Sequence, residues 1–231
     1  MNNLEETRSR FSSAPWIDKA SYKIISIYGL GGIGSHTALG INKIFENSSI
    51  FIFDFDHVSL SNIGGQIYNL RDIGDLKIYS LKRKLLVDNV TNSIYDYKKD
   101  EILYSDIIVS ALDSMSARKE LFDKICRKRS LKNSLFIDAR MSADTIQIIA
   151  FRVGDKKKRT KYRKKYLFND EQADETVCSY KQTYFVGQMI SGLINSIITN
   201  YLTTLSTNNY PQKVPFYTEF YTPLMSYSSE I

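Results

Sequence analysis

Gly29-Leu30-Gly31-Gly32-Ile33-Gly34 constrains this chain more than any other stretch. It follows a β-branched apolar run, Lys23 to Tyr28, that reads as a buried strand. Beyond it, Ala38, Leu39, Ile41 and Phe45 fall at helical spacing, so a helix should begin near Gly32. Glycines between a strand and a helix permit a tight turn and close backbone approach. The helix N-terminus then offers unpaired N–H groups to a phosphate. Ser49 to Phe53 reads as a second buried strand and ends at Asp54, twenty residues past Gly34. A carboxylate at that point can hydrogen-bond ribose hydroxyls. The pattern predicts a nucleotide site and leaves NAD and ATP both open.

The same alternation continues. Lys77 to Val87 has helical spacing, Asp106 to Ala111 reads as a buried strand, and Ser116 to Lys128 as a helix. Leu135 to Ala139 and the alternating Asp144 to Val153 follow as strands, and Phe185 to Leu205 as a long apolar helix. Strands alternating with helices predict an α/β, Rossmann-like doubly wound fold with a mostly parallel sheet and right-handed crossovers. At 231 residues the chain fits one large domain. Residues 1–20 form an N-terminal arm and 21–231 the domain. Within it lie a nucleotide-binding part (about 21–153), a mobile basic loop (about 154–177) and a C-terminal part (178–231). A tail carrying Pro211, Pro215 and Pro223 among aromatic residues follows the last helix.

Composition excludes several classes. No apolar run approaches the roughly eighteen residues of a membrane span. The polar, acidic start Met1-Asn2-Asn3-Leu4-Glu5-Glu6 is wrong for a secretory signal, so the cytoplasm is the expected compartment. Two cysteines, Cys126 and Cys178, build no disulfide framework and no four-thiolate zinc site. The net charge of +6 is concentrated between Asp155 and Lys165. That run reads as a solvated loop, or as a contact for an acidic surface or nucleic acid. No aromatic ladder accompanies it, which makes nucleic acid the lesser option.

The stretch after the second strand separates the nucleotide classes. It reads Asp54-Phe55-Asp56-His57-Val58-Ser59-Leu60-Ser61-Asn62, then Gln66, then Asp72-Ile73-Gly74-Asp75-Leu76-Lys77. Further on come Ala111-Leu112-Asp113-Ser114 and Arg118. This combination resembles the signature of the ThiF/MoeB family, the ubiquitin-activating-type adenylyltransferases, in the manner of its minimal bacterial and phage members. The agreement in spacing runs from Gly29 to Arg118, and the general pattern reaches about Leu205.

The resemblance implies ATP and Mg²⁺. A carboxylate attacks the α-phosphorus of ATP and pyrophosphate leaves, so cations and a metal placed around the phosphates carry the catalysis. It implies that Lys77 contacts the phosphates, Asp113 helps hold Mg²⁺, and Asp54 takes the ribose. Asp56 and Asn62 organise the adjoining loop, Gln66 lines the pocket, and Gly29, Gly31, Gly32 and Gly34 cradle the nucleotide. A helix N-cap is the competing reading of Asp113. The implied acceptor is the C-terminus of a small ubiquitin-like or sulfur-carrier protein. A peptide, or a carboxylate on modified tRNA, is the alternative. A scaffold that binds nucleotide without catalysis and an NAD-dependent oxidoreductase are the rivals from other classes. Where the family places Arg before Gln, this chain has Gly65. The family inserts an arginine from the second subunit of a homodimer, and Arg10 (or Arg8) lies in the matching arm. Cys178 precedes the last helix, where some relatives carry a thiol that links to the acceptor. Ordinary packing is its other reading, and the expected one for Cys126. No zinc is expected. His36 and His57 are expected to be incidental.

Overall fold

The structure is a computed structural model, and it describes residues 12–20, 22–45, 48–85, 90–93, 102–168, 183–206 and 213–231. Eight strands among them form one sheet: β1 (Ile24–Tyr28), β2 (Ser49–Phe53), β3 (Val90–Ser93), β4 (Ile107–Ser110), β5 (Leu135–Met141), β6 (Thr145–Arg152), β7 (Tyr217–Tyr221) and β8 (Ser226–Glu230). The order is β3-β2-β1-β4-β5-β6-β7-β8. β1 to β5 pair in parallel, and β6, β7 and β8 extend the sheet antiparallel. The fold is the expected Rossmann-like, mostly parallel α/β arrangement. The helices are α1 (Gly34–Ile44), α2 (Lys77–Lys82), α3 (Met115–Arg127), α4 (Lys156–Lys165) and α5 (Tyr184–Ser206), preceded by one helical turn at Ile17–Ala20. Among the described residues, no helix is long and apolar enough to cross a membrane.

Side chains alternate along each central strand and fill two cores, because successive residues point to opposite faces. On one face Ile25, Ile27, Ile107, Val109, Ile137 and Ile148 pack with Ile41 of α1 and Ile190 and Ile194 of α5. On the other, Ile108, Phe136, Ile149 and Phe151 pack with Leu121 and Phe122 of α3 and Tyr162 of α4. This second core is largely aromatic: Phe122 and Phe136 each meet Tyr162, with ring centroids 4.7 Å and 5.5 Å away. Phe216, brought in by the tail, closes the cluster beside Phe151. Phe216→Ala should cost about 3–5 kcal/mol of unfolding free energy. Urea denaturation measures it, and a loss under about 1 kcal/mol contradicts this packing.

One expectation changes. The basic run is a helix, α4, where the sequence predicts a loop. Asp155 caps it, accepting from the Lys158 N–H at 3.0 Å. Fully buried Tyr162 pins it to the aromatic core. Like-charge repulsion is offset by Arg163 paired with Asp123, Lys161 paired with Glu230, and Lys158 set against the Phe216 ring. In the proline-bearing tail Phe216 is buried, and β7 and β8 form a hairpin on the sheet edge. In the arm, Trp16 packs edge-on against Phe45 at 5.5 Å.

Candidate functional site

The strand order reverses at β1, whose neighbours are β2 and β4. Crevices for ligands open at such switch points, beyond the carboxyl ends of the strands. The glycine turn leaves β1 at this place. Gly29 takes a left-handed φ of +88°, and its N–H donates to the Phe53 carbonyl at 2.9 Å. A side chain at Gly29 would sit 2.6 Å from the Ala111 carbonyl oxygen, so the turns after β1 and β4 touch. Gly31 stands beside Gln66, whose Nε2 lies 3.8 Å from where a Cβ would be. The buried Gln66 Oε1 has no hydrogen-bond partner. A cradle kept open by glycines and an orphaned amide oxygen on its wall are features a polar ligand would satisfy.

Asp54 fastens this turn to the next strand. One carboxylate oxygen accepts from the Leu30 N–H at 2.6 Å and the other from the Asp56 N–H at 2.8 Å. Burial pushes its carboxyl above the ordinary range, against the pull of Lys77 and those two N–H groups. Tyr68 clamps the turn from the other side, donating to the Leu30 carbonyl at 2.9 Å. Lys77, the first residue of α2, is buried, and its Nζ lies 2.9 Å from Asp56 Oδ2. Its own N–H donates to the Asp56 carbonyl at 2.9 Å. Asp72 secures the loop leading to α2, bonding the Asn69 N–H at 2.8 Å and Lys84 at 2.7 Å. Asn62 closes the turn after Asp56, its Oδ1 accepting from the Ser59 N–H at 2.9 Å.

Asp113 follows β4 and is exposed. Among the described residues its carboxylate makes no hydrogen bond or ion pair. It is not the helix cap: Ser114 caps α3, accepting from the Ala117 N–H at 3.2 Å. Mg²⁺ binds through one or two carboxylates together with substrate phosphates, so a free carboxylate beside a glycine turn fits that ion.

Beneath Asp113 lies a network the sequence reading did not foresee. Asp138 of β5 is fully buried between two arginines. Arg118 pairs with one of its oxygens and also donates to the Leu112 carbonyl. Arg140 bonds the other at 2.8 Å and donates to the Tyr166 carbonyl at 2.7 Å. Burial favours neutral Asp138, but Arg118 and Arg140 outweigh it and hold its pKa below the ordinary carboxylate range. The unfolded chain therefore takes up this proton more readily than the folded one. The resulting stability is complete above about pH 4 and is lost as pH falls through the lower folded pKa. Urea titrations should show the gap between wild type and Asp138→Asn holding constant down to about pH 5 and shrinking below about pH 4.

A family model, that of the ThiF family, matches residues 10–230. The chain is a member of the ThiF family. A comparison with the curated proteins finds no match. Solved structures share the fold. Selenomethionine PaaA has 18% identity and a TM-score of 0.70, covering 100% of this chain and 83% of its own. E. coli MccB with ATP has 18% identity and a TM-score of 0.68, covering 100% and 71%. E. coli MccB with AMPCPP and MccA has 18% identity and a TM-score of 0.70, covering 99% and 71%.

Of the residues the ThiF resemblance singles out, the structure gathers Gly29, Gly31, Gly34, Asp54, Asp56, Gln66 and Lys77 into one chain of contacts around the first turn. Gly32 belongs to the same turn, and its carbonyl lies 2.8 Å from where a Cβ on Gly187 of α5 would be. Gly187 is a supporting residue that helical spacing alone could not reveal. His36 packs in the same seam, 4.6 Å from the Tyr184 ring; burial holds its imidazole below the usual histidine range. Cys126 is half-buried under α4, and burial pushes its thiol up, as packing requires. Arg8, Arg10 and Cys178 lie outside the described residues.

Proposed function

We propose that this protein is an ATP-dependent adenylyltransferase that joins AMP to the C-terminal carboxylate of a peptide or a small ubiquitin-like or sulfur-carrier protein. One observation carries the reading: a buried lysine, Lys77, is tied through Asp56 and Asp54 to a glycine turn at the β1/β4 switch point. A dinucleotide site needs the turn and the terminal acid but gives no work to a buried ammonium. A triphosphate does, because charge builds on its oxygens as pyrophosphate leaves. MccB, a structure of the same fold, has been crystallised with ATP and with MccA, which supports ATP as the nucleotide and a second molecule bound by the same fold.

In this reading the glycine turn and the α1 N-terminus receive the phosphates, Asp54 the ribose, and Gln66 lines the crevice. Lys77 exchanges Asp56 for a phosphate oxygen. Asp113 holds Mg²⁺, which supplies further positive charge against the phosphates. Gly65 leaves one cation missing, and Arg10 from the arm of a second subunit fills that place in a homodimer. Cys178 is assigned a later thiol link to the acceptor. The reaction is cytoplasmic.

Isotope exchange between pyrophosphate and ATP, run with candidate peptides and carrier proteins, tests the proposal. Acceptor-dependent exchange is expected. Nucleotide binding with no exchange on any acceptor would identify a scaffold instead, and nicotinamide reduction an oxidoreductase. Exchange that survives Cys178→Ala while product transfer stops would place the thiol after adenylation.

A further inference from the structure

The residue assigned to the metal, Asp113, has no contact of its own to hold it, yet the turn that carries it is held on every side. Its start is fixed by the Ala111 N–H, which donates to the Tyr28 carbonyl at 2.8 Å. Its end is fixed by Ser114, which caps α3. Between these, the only side chain among the described residues that bonds the turn's own backbone is Arg118, through the Leu112 carbonyl. A guanidinium keeps such a bond only if its plane is fixed. Here Asp138 fixes it from the neighbouring strand, where Ser110 and Asp138 stand opposite each other in the β4–β5 ladder.

We propose that Asp138 is a positioning residue for the metal carboxylate: through Arg118 it holds the Leu112 carbonyl, and with it the turn that presents Asp113. The inference rests on the adenylation reading, which supplies the metal. A buried arginine–carboxylate pair is a costly way to stabilise a core, since apolar residues of similar volume often do as well. A strut that must reach a polar carbonyl cannot be replaced in that way. Outer residues that orient a metal ligand typically change metal affinity by about 10–100-fold when lost.

The experiment uses the full chain with Mn²⁺ in place of Mg²⁺ and AMPCPP as nucleotide. Electron paramagnetic resonance reads Mn²⁺ affinity, calorimetry in EDTA reads metal-free AMPCPP affinity, and thermal melting reads stability. Asp113→Ala sets the scale. Asp138→Asn should weaken Mn²⁺ binding about tenfold and leave metal-free AMPCPP binding unchanged. Arg118→Met is the gentler variant, because Asp138 keeps Arg140 as its partner and no buried charge is stranded. It should weaken Mn²⁺ to the same degree, and the double variant should do no worse than either single one. Arg140→Met should lower the melting temperature while Mn²⁺ affinity stays at the wild-type value. Unchanged Mn²⁺ affinity in Arg118→Met, with Asp113→Ala impaired, overturns the strut and leaves the adenylation reading standing. Unchanged affinity in Asp113→Ala overturns the metal assignment, and the strut with it.

Discussion

Replacing Lys77 with methionine should reduce acceptor-dependent pyrophosphate exchange by about 10²–10³-fold, the usual loss when one preorganised charge donor is taken from a reaction centre. The protein should stay folded. Lys77 Nζ is buried and its side chain is 8% exposed, but its partner Asp56 is 48% exposed, so water re-solvates the abandoned carboxylate. The lost pair itself is worth no more than about 1 kcal/mol to stability. Exchange and unfolding measured on the same sample separate the two effects. A variant that melts like wild type and exchanges at the wild-type rate removes Lys77 from the reaction.

The second large effect is expected at Gly34. A methyl group there would lie 1.8 Å from the Gly29 carbonyl oxygen and 2.9 Å from its carbon. Both atoms are backbone, and Gly29 is held by its bond to Phe53, so neither side can yield cheaply. Gly34→Ala must lift α1 from the turn, which loses about 1–3 kcal/mol or more by overpacking. It also moves the helix N-terminus from the phosphates, so ATP binding should fall at least about tenfold. Gly31→Ala is the control for stability, since its Cβ would meet the Gln66 amide at an ordinary 3.8 Å. If calorimetry shows equal ATP affinity in both variants and wild type, the nucleotide does not sit on this turn.

The contrast between Gly34 and Asp138 shows what the sequence could convey. The glycine turn and Asp54 sit at an interval fixed by strand and helix geometry, so their relation is legible along the chain, whereas Lys77 is reached only through the family resemblance. In the structure Asp54 bonds Leu30, and Lys77 bonds Asp56. Asp138 and Arg118 are twenty residues apart on different elements, and only the β4–β5 pairing brings them together. A charged residue inside the apolar run Leu135 to Ala139 was the one available signal. The basic run misleads for a different reason. Its single apolar residue, Tyr162, gives no helical period, yet that one ring packs against Phe122, Phe136 and Phe151 from three other elements. β3, with the sequence Val90-Thr91-Asn92-Ser93, lacks the apolar run that marks a buried strand and takes its place from pairing with β2. In the tail, prolines mask the alternation of Tyr217, Glu219 and Tyr221.

Phe216 brings a temporal consequence. A chain synthesised from its N-terminus releases Phe151 and Tyr166 long before Phe216, the ring that packs on both. Until then this corner of the aromatic core is open, and β6 has no β7 to pair with. Nascent protein should therefore be most prone to misassociation after the nucleotide half has formed, and ribosome-bound chains truncated before Phe216 are where chaperone capture would be concentrated.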